Sequence, residues 1–112
     1  MGADLTLVVL LYLDPEHRAD YERFESAASL LMERHGGRIE RRIAVGHAGD
    51  IGEPDGPDGP DEIHIVTFPS EKAFDAYVQD PERASLEELR ARAIRRTVVW
   101  RGEGMPGFHA GS

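Results

Sequence analysis

The chain has 112 residues, 40% of them apolar and 30% charged, which are the proportions of a water-soluble globular protein and not of a disordered or membrane-spanning one. That length matches one domain, and a formal charge of −8 argues against nucleic acid or an anionic membrane as partner, since both require a basic surface. The absence of cysteine excludes disulfides, thiolate metal ligands and thiol catalysis.

The first element is expected at about residues 4–13, where Leu5, Leu7, Val9, Leu11 and Leu13 alternate with Val8, Leu10 and Tyr12. A strand apolar on both faces is central and covered on both sides. Nothing basic precedes it and no small-residue cleavage site follows, so neither a signal peptide nor a membrane anchor is expected, and cytoplasm is the default location. Asp14-Pro15 reads as an N-cap followed by proline at the first helical position. His17, Tyr21, Phe24, Ala28, Leu31 and His35 then recur at helical spacing until Gly36-Gly37 stops them.

From Arg38 to Val45 the pattern alternates, with Ile39, Ile43 and Val45 on one face and Arg38, Glu40, Arg42 and Ala44 on the other, as in an edge strand. Residues 46–61 contain Asp55-Gly56-Pro57-Asp58-Gly59-Pro60 and read as a mobile loop. Glu62 to Phe68 is a third strand. Ser70 caps a second helix, Asp80-Pro81 repeats the cap-plus-proline device, and Ser85 with Glu88 suggests a capping box for one more segment. The second helical region is therefore expected to be broken. A last strand runs from Ile94 to Arg101, and residues 103–112 form a Gly-rich tail.

The order βαββαβ gives an α+β, ferredoxin-like fold: a four-stranded antiparallel sheet with both helical regions on one face. The other face is bare. At ~4.8 Å between strands and ~20 Å of length it presents roughly 400 Å², an area at which an apolar patch calls for a cover. A second copy of the chain is the simplest one, so a homodimer is expected.

The runs "LYLDPEHRADYERF", "ERHGGRIERR" and "HIVTFPSEKAFDAYVQDPERASLEELRARAIRRTVVWRG", in this order over about residues 5–102, resemble the bacterial family called domain of unknown function 1330. Gly36-Gly37-Arg38, Phe68-Pro69-Ser70, and Tyr77 with Asp80-Pro81 carry most of the resemblance. It implies a dimeric α+β barrel over residues 1–102, with the loop at about 47–61 inside it. The wider superfamily includes cofactor-independent monooxygenases, lactone isomerases, haem-degrading enzymes and stress-responsive proteins, so the resemblance implies a fold and no single chemistry. The "DGPDGPD" insertion and the tail after Gly102 depart from the compact family pattern.

Few residues can carry chemistry. His64 lies between Ile63 and Ile65, where an imidazole can titrate near neutrality, and if Phe68 packs against the helices His64 points the same way and is a core histidine. Arg42, with Glu40, would look into the barrel mouth if the apolar face of its strand covers the helices, and could hold a carboxylate or phenolate; a solvated edge or an intersubunit ion pair is the plain alternative. Tyr12 could donate a phenolic proton or simply pack with a wet tip, and Trp100 could line a pocket or fill the dimer core. His17 and His35 read as partly buried helix-end residues, and His47 and His109 lie in loops. No pair of histidines has ligand spacing, the acidic stretch from Asp50 to Glu62 lacks the oxygen pattern of a calcium loop, and no phosphate loop, dinucleotide fingerprint or nucleophile elbow is present. No metal and no cofactor is therefore expected.

Two functions stay open. One is binding of a small hydrophobic or aromatic molecule with cofactor-independent catalysis of monooxygenase or isomerase type, using His64 and Tyr12 as catalytic groups and Arg42, Glu40 and Trp100 as binding groups. The other is a non-catalytic ligand-binding or stress-response dimer.

Overall fold

A computed structural model describes residues 4–46 and 59–107. The expected glycine- and proline-rich loop, with His47, and the end of the tail, with His109, lie largely outside the described residues.

Strand β1 (Leu5–Leu13) sits inside a four-stranded antiparallel sheet of order β2-β3-β1-β4, where β2 is Arg38–Ala44, β3 Glu62–Phe68 and β4 Ile94–Gly102. The strand that is apolar on both faces is thus an inner one, as its composition requires. Leu5, Leu7, Leu11 and Leu13 are buried against the helical layer, together with Val66 and Phe68 of β3. Val8, Leu10, Ile63 and Ile65 occupy the opposite face, where Val8 lies across from Ile65 and Trp100, and Leu10 across from Ile63 and Val98.

Helix α1 (Arg18–Arg34) begins one turn later than the Asp14-Pro15 signal suggests. Asp14 Oδ1 accepts from the Glu16 amide at 3.0 Å and the Asp14 carbonyl accepts from His17 N at 3.0 Å, so Pro15–His17 closes as a tight 3₁₀ turn before the α-helix starts. At its far end Gly36 takes φ +80°, and Gly37 N bonds to the Met32 carbonyl at 3.0 Å. The stripe of Tyr21, Phe24, Ala28 and Leu31 is buried. His17 and His35 are partly exposed at the helix ends.

The second helical region is broken, as the repeated cap signals indicate. It comprises α2 (Glu71–Val78), α3 (Pro81–Ala84) and α4 (Glu87–Ala93). Ser70 Oγ accepts from Ala73 N at 3.0 Å and Asp80 Oδ1 from Glu82 N at 2.8 Å. The capping box expected at Ser85 and Glu88 does not form. The Ser85 hydroxyl donates to the Glu82 carbonyl of the preceding turn at 2.6 Å, and α4 begins after Leu86 at its N-cap, without a side-chain cap. Among the described residues no helix is long and apolar enough to cross a membrane.

The core divides into two buried clusters, one around Tyr21, Phe24 and Ile94, the other around Leu7, Phe68 and Tyr77. Val9 packs against both and is only half-buried, although Leu7 and Leu11 on either side of it are sealed.

Gly37 marks the closest approach between the layers, since a Cβ there would stand 2.5 Å from the Phe68 ring and 2.7 Å from Met32. Gly37→Ala is expected to lower the unfolding free energy by about 1–3 kcal/mol through overpacking. Gly102→Ala, where nothing lies within 4 Å, should stay within about 0.5 kcal/mol of wild type. Equal midpoints for the two variants in a denaturant titration would contradict this packing.

Candidate functional site

Residues two apart on a strand share a face, so Glu62 and His64 of β3 both point into the helical layer. Arg18, Tyr21 and Glu25 follow one another at spacings of three and four on α1 and form the facing surface. The two sets meet as a compact buried cluster. Tyr21 donates its hydroxyl proton to Glu62 Oε1 at 2.8 Å, and His64 Nε2 stands 2.9 Å from the same oxygen and 3.3 Å from the Tyr21 hydroxyl. Arg42 donates to Glu62 Oε1 at 3.0 Å and Arg18 to Oε2 at 3.2 Å. On the other side of the ring, His64 Nδ1 lies 3.3 Å from Glu25 Oε1.

These contacts fix the proton inventory. Glu62 accepts from every group around it, so His64 Nε2 is the donor in that pair. Its carboxyl is pushed down to about 2: burial opposes ionisation, but the hydrogen bonds from His64, Tyr21 and Arg42 outweigh it. Glu25 goes the other way, because burial raises its carboxyl more than the nearby His64 and Arg42 lower it. Burial, with the Glu25 charge next in effect, also pushes the Tyr21 phenol upward, so Tyr21 stays a donor. With Nε2 turned to Glu62, Nδ1 of His64 is the ring nitrogen that faces Glu25.

Glu25 and His64 also form one end of a cavity of about 120 Å³ between the sheet and the helices. Its lining runs from Ile39 on β2 across His64, Val66 and Val9 to Thr97 and Val99 on β4, so it traverses the sheet. It explains the half-burial of Val9: Ala28, a small side chain in the α1 stripe, is part of the wall there and leaves space unfilled. The exposed residues Val78 and Val99 form part of the wall near β4, where the cavity opens. Glu25 is its single carboxylate. Among the described residues no group of three His, Asp or Glu is arranged to hold a metal ion.

The candidates read from the sequence fall in different places. His64 is 3% exposed and shares the helix-facing side with Phe68, the orientation that the strand's alternation allowed. Arg42 joins it, which corrects the face assigned to β2. Strict alternation put Glu40 and Arg42 together on the face of the barrel mouth, but a bulge between Ile39 and Arg41 shifts the register. Arg42 therefore lies opposite His64 on the helix side, while Glu40 bonds to the Thr67 hydroxyl at 2.9 Å and to Arg38 at 2.6 Å. Tyr12 and Trp100 sit on the bare face: Tyr12 lies under the Arg96 guanidinium at 5.2 Å, and Trp100 is 59% exposed. Neither shares a site with His64. Glu62, Glu25, Tyr21 and Arg18 were not singled out from the sequence, although a glutamate two residues before His64, and one four residues after a buried tyrosine, are legible signals.

The family model for "Domain of unknown function (DUF1330)" matches residues 7–102, and the chain belongs to that family. No curated protein matches it. Among solved structures it is similar to a protein of unknown function from Rhodopseudomonas palustris, at 17% identity and TM-score 0.77, over 96% of this chain and 86% of that one. A protein from Nitrosomonas europaea described as "Putative antibiotic biosynthesis monooxygenase" superimposes with TM-score 0.68 at 10% identity, over 94% and 93% of the two chains. A dimeric protein of unknown function and ferredoxin-like fold from Bacteroides fragilis gives 0.60 at 17% identity, over 92% and 98%. At these identities the likeness is one of fold, and the fold is ferredoxin-like.

The two glutamates give opposite pH dependences. Glu62, depressed to about 2, adds stability above its ordinary value of 4.5, and this is lost as pH falls from there through about 2. Glu25, raised above 4.5, adds stability below that value, and this is lost as pH rises through its folded pKa. Glu62→Gln should cost about 2 kcal/mol at neutral pH, a moderate figure because Arg18 and Arg42 are half exposed. It should also flatten the acid limb of a stability–pH curve. Glu25→Gln should flatten the limb above pH 4.5 instead. Identical curves for both variants and wild type would rule out this charge arrangement.

Proposed function

We propose that this member of the DUF1330 family binds a small hydrophobic or single-ring molecule in the cavity between sheet and helices and moves a proton on it through Glu25 and His64, without a cofactor. The observation that carries the reading is the position of Glu25: the single carboxylate of a mostly apolar wall, raised by burial, against an imidazole whose far nitrogen is already committed to Glu62. A dry apolar cavity of about 150 Å³ holds benzene, so 120 Å³ with an open side suits one ring or a short chain.

In this scheme ionised Glu25, or His64 Nδ1 behind it, takes a proton from an acidic carbon or hydroxyl of the ligand, leaving an enolate or phenolate. Tyr21, Glu62 and Arg42 act as positioning residues: they hold the imidazole tautomer and its ring plane. Return of the proton to a second carbon completes an isomerisation. A monooxygenase would pass the same anion to dioxygen. Proton removal is common to both.

The bare sheet face supports a homodimer of barrel type, with the open faces of two copies packed together. Ile43 and Trp100 on that face are exposed, and their cross-strand neighbours are Ile63 and Val8. Light scattering at micromolar concentration is expected to give about twice the 12.4 kDa chain mass. Trp100→Asp should shift the mass toward the monomer, and a wild-type monomer would remove this proposal.

The catalytic reading is tested by deuterium uptake in D₂O at the carbon next to the carbonyl of cyclopentanone and 2-cyclohexenone, followed by NMR. The wild type should accelerate exchange, with a loss of roughly 10²-fold or more in Glu25→Gln and in His64→Gln. If phenol and these ketones bind but exchange no faster than in buffer, the protein is the non-catalytic ligand-binding dimer. Binding to neither would sink the cavity reading as a whole.

A further inference from the structure

The helical wall of the cavity contributed by α3 and α4 carries a different chemistry. Arg83 on α3 and Arg90 on α4 contribute to its wall from elements other than those that carry His64 and Glu25. Arg90 is neutralised by Glu87 through two hydrogen bonds. Arg83 is not: among the described residues its guanidinium forms no ion pair, and its buried Nε has no acceptor. It lies instead over the Tyr77 ring, 5.2 Å from the centroid. A buried guanidinium N–H without an acceptor is costly, and surfaces usually resolve such a group by pairing it.

We infer that the cavity takes a small organic carboxylate, whose acid group pairs with Arg83 beside Tyr77 and whose apolar end reaches toward Glu25 and His64. This rests on the proposed reading of the cavity and adds the ligand's charge and direction. The charges impose that direction. Glu25, which has no arginine partner among the described residues, disfavours an anion beside His64, while the Arg83 guanidinium, without an ion-pair partner, attracts one. A planar guanidinium stacked on an aromatic ring is suited to carboxylate, whose two oxygens match its fork. The ring or chain fills the apolar space over Val9 and Ala28. The ligand atom nearest the acid–base pair is then one remote from its carboxylate.

Benzoate and cyclohexanecarboxylate test this against benzamide, which has nearly the same shape and no charge, by calorimetry and by the Arg83 Nε–H resonance. The wild type should prefer the acids, and Arg83→Gln should weaken them roughly ten- to hundredfold while leaving benzamide within about twofold. Arg83→Lys, which keeps charge but not the planar fork, should fall between them. Equal binding of acid and amide, unaffected by Arg83→Gln, would overturn the inference and leave the cavity reading standing. Binding of neither class would overturn both. Should Arg83→Gln fail to fold, Arg83→Lys decides: equal weakening of acid and amide makes Arg83 structural.

Discussion

The arrangement of β3, β2 and α1 turns on one buried carboxylate. Glu62 begins a strand whose alternation sends it into the helical layer, where an unpaired anion would be expelled or protonated. It survives because Tyr21 and Arg18 come down from α1, Arg42 across from β2, and His64 along from the same strand, each placing a donor on it. Removing Glu62 leaves those donors without a shared acceptor. The same anion holds Nε2 of His64 and turns Nδ1 toward Glu25. Two glutamates on opposite sides of one imidazole are thus driven in opposite directions, one far below its ordinary range and one above it.

The fold was readable from local chemistry because its signals are mostly local. The two-sided apolarity of Leu5 to Leu13 required an inner strand, and Asp14-Pro15, Ser70 and Asp80-Pro81 each cap a helical turn as their side chains dictate. Where a signal had a competitor, it failed. Ser85 could cap forward or bond backward, and α3 claims it through the Glu82 carbonyl. The site was less legible, because it depends on which faces meet. One extra residue at the β2 bulge moves Arg42 to the helix side and separates it from Glu40. Alternation alone cannot register that slip, so Arg42 was assigned to the barrel mouth and its bond to Glu62 went unseen. His64 was visible as an imidazole among aliphatic neighbours. Two of its partners, Tyr21 and Glu25, lie on another element, a pairing that only the packed structure defines.

A buried hydrogen-bonded cluster can also be plain architecture, holding a strand register at some cost in stability. The geometry distinguishes its two halves. On the Glu62 side, partners saturate the carboxylate, as a structural anchor requires. On the Glu25 side the contact is long at 3.3 Å, Glu25 has no arginine partner among the described residues, and the carboxyl borders open volume. A carboxyl whose ionisation is opposed by burial, with space beside it, is the feature on which the proposed proton transfer rests. The bare sheet face has no such pairing: Tyr12 lies opposite Arg96 on β4 and under its guanidinium. The proposed chemistry and the proposed association therefore fall on opposite faces of one sheet. Because successive side chains of each strand alternate between them, a substitution that tunes the cavity need not disturb the surface that a second copy would cover.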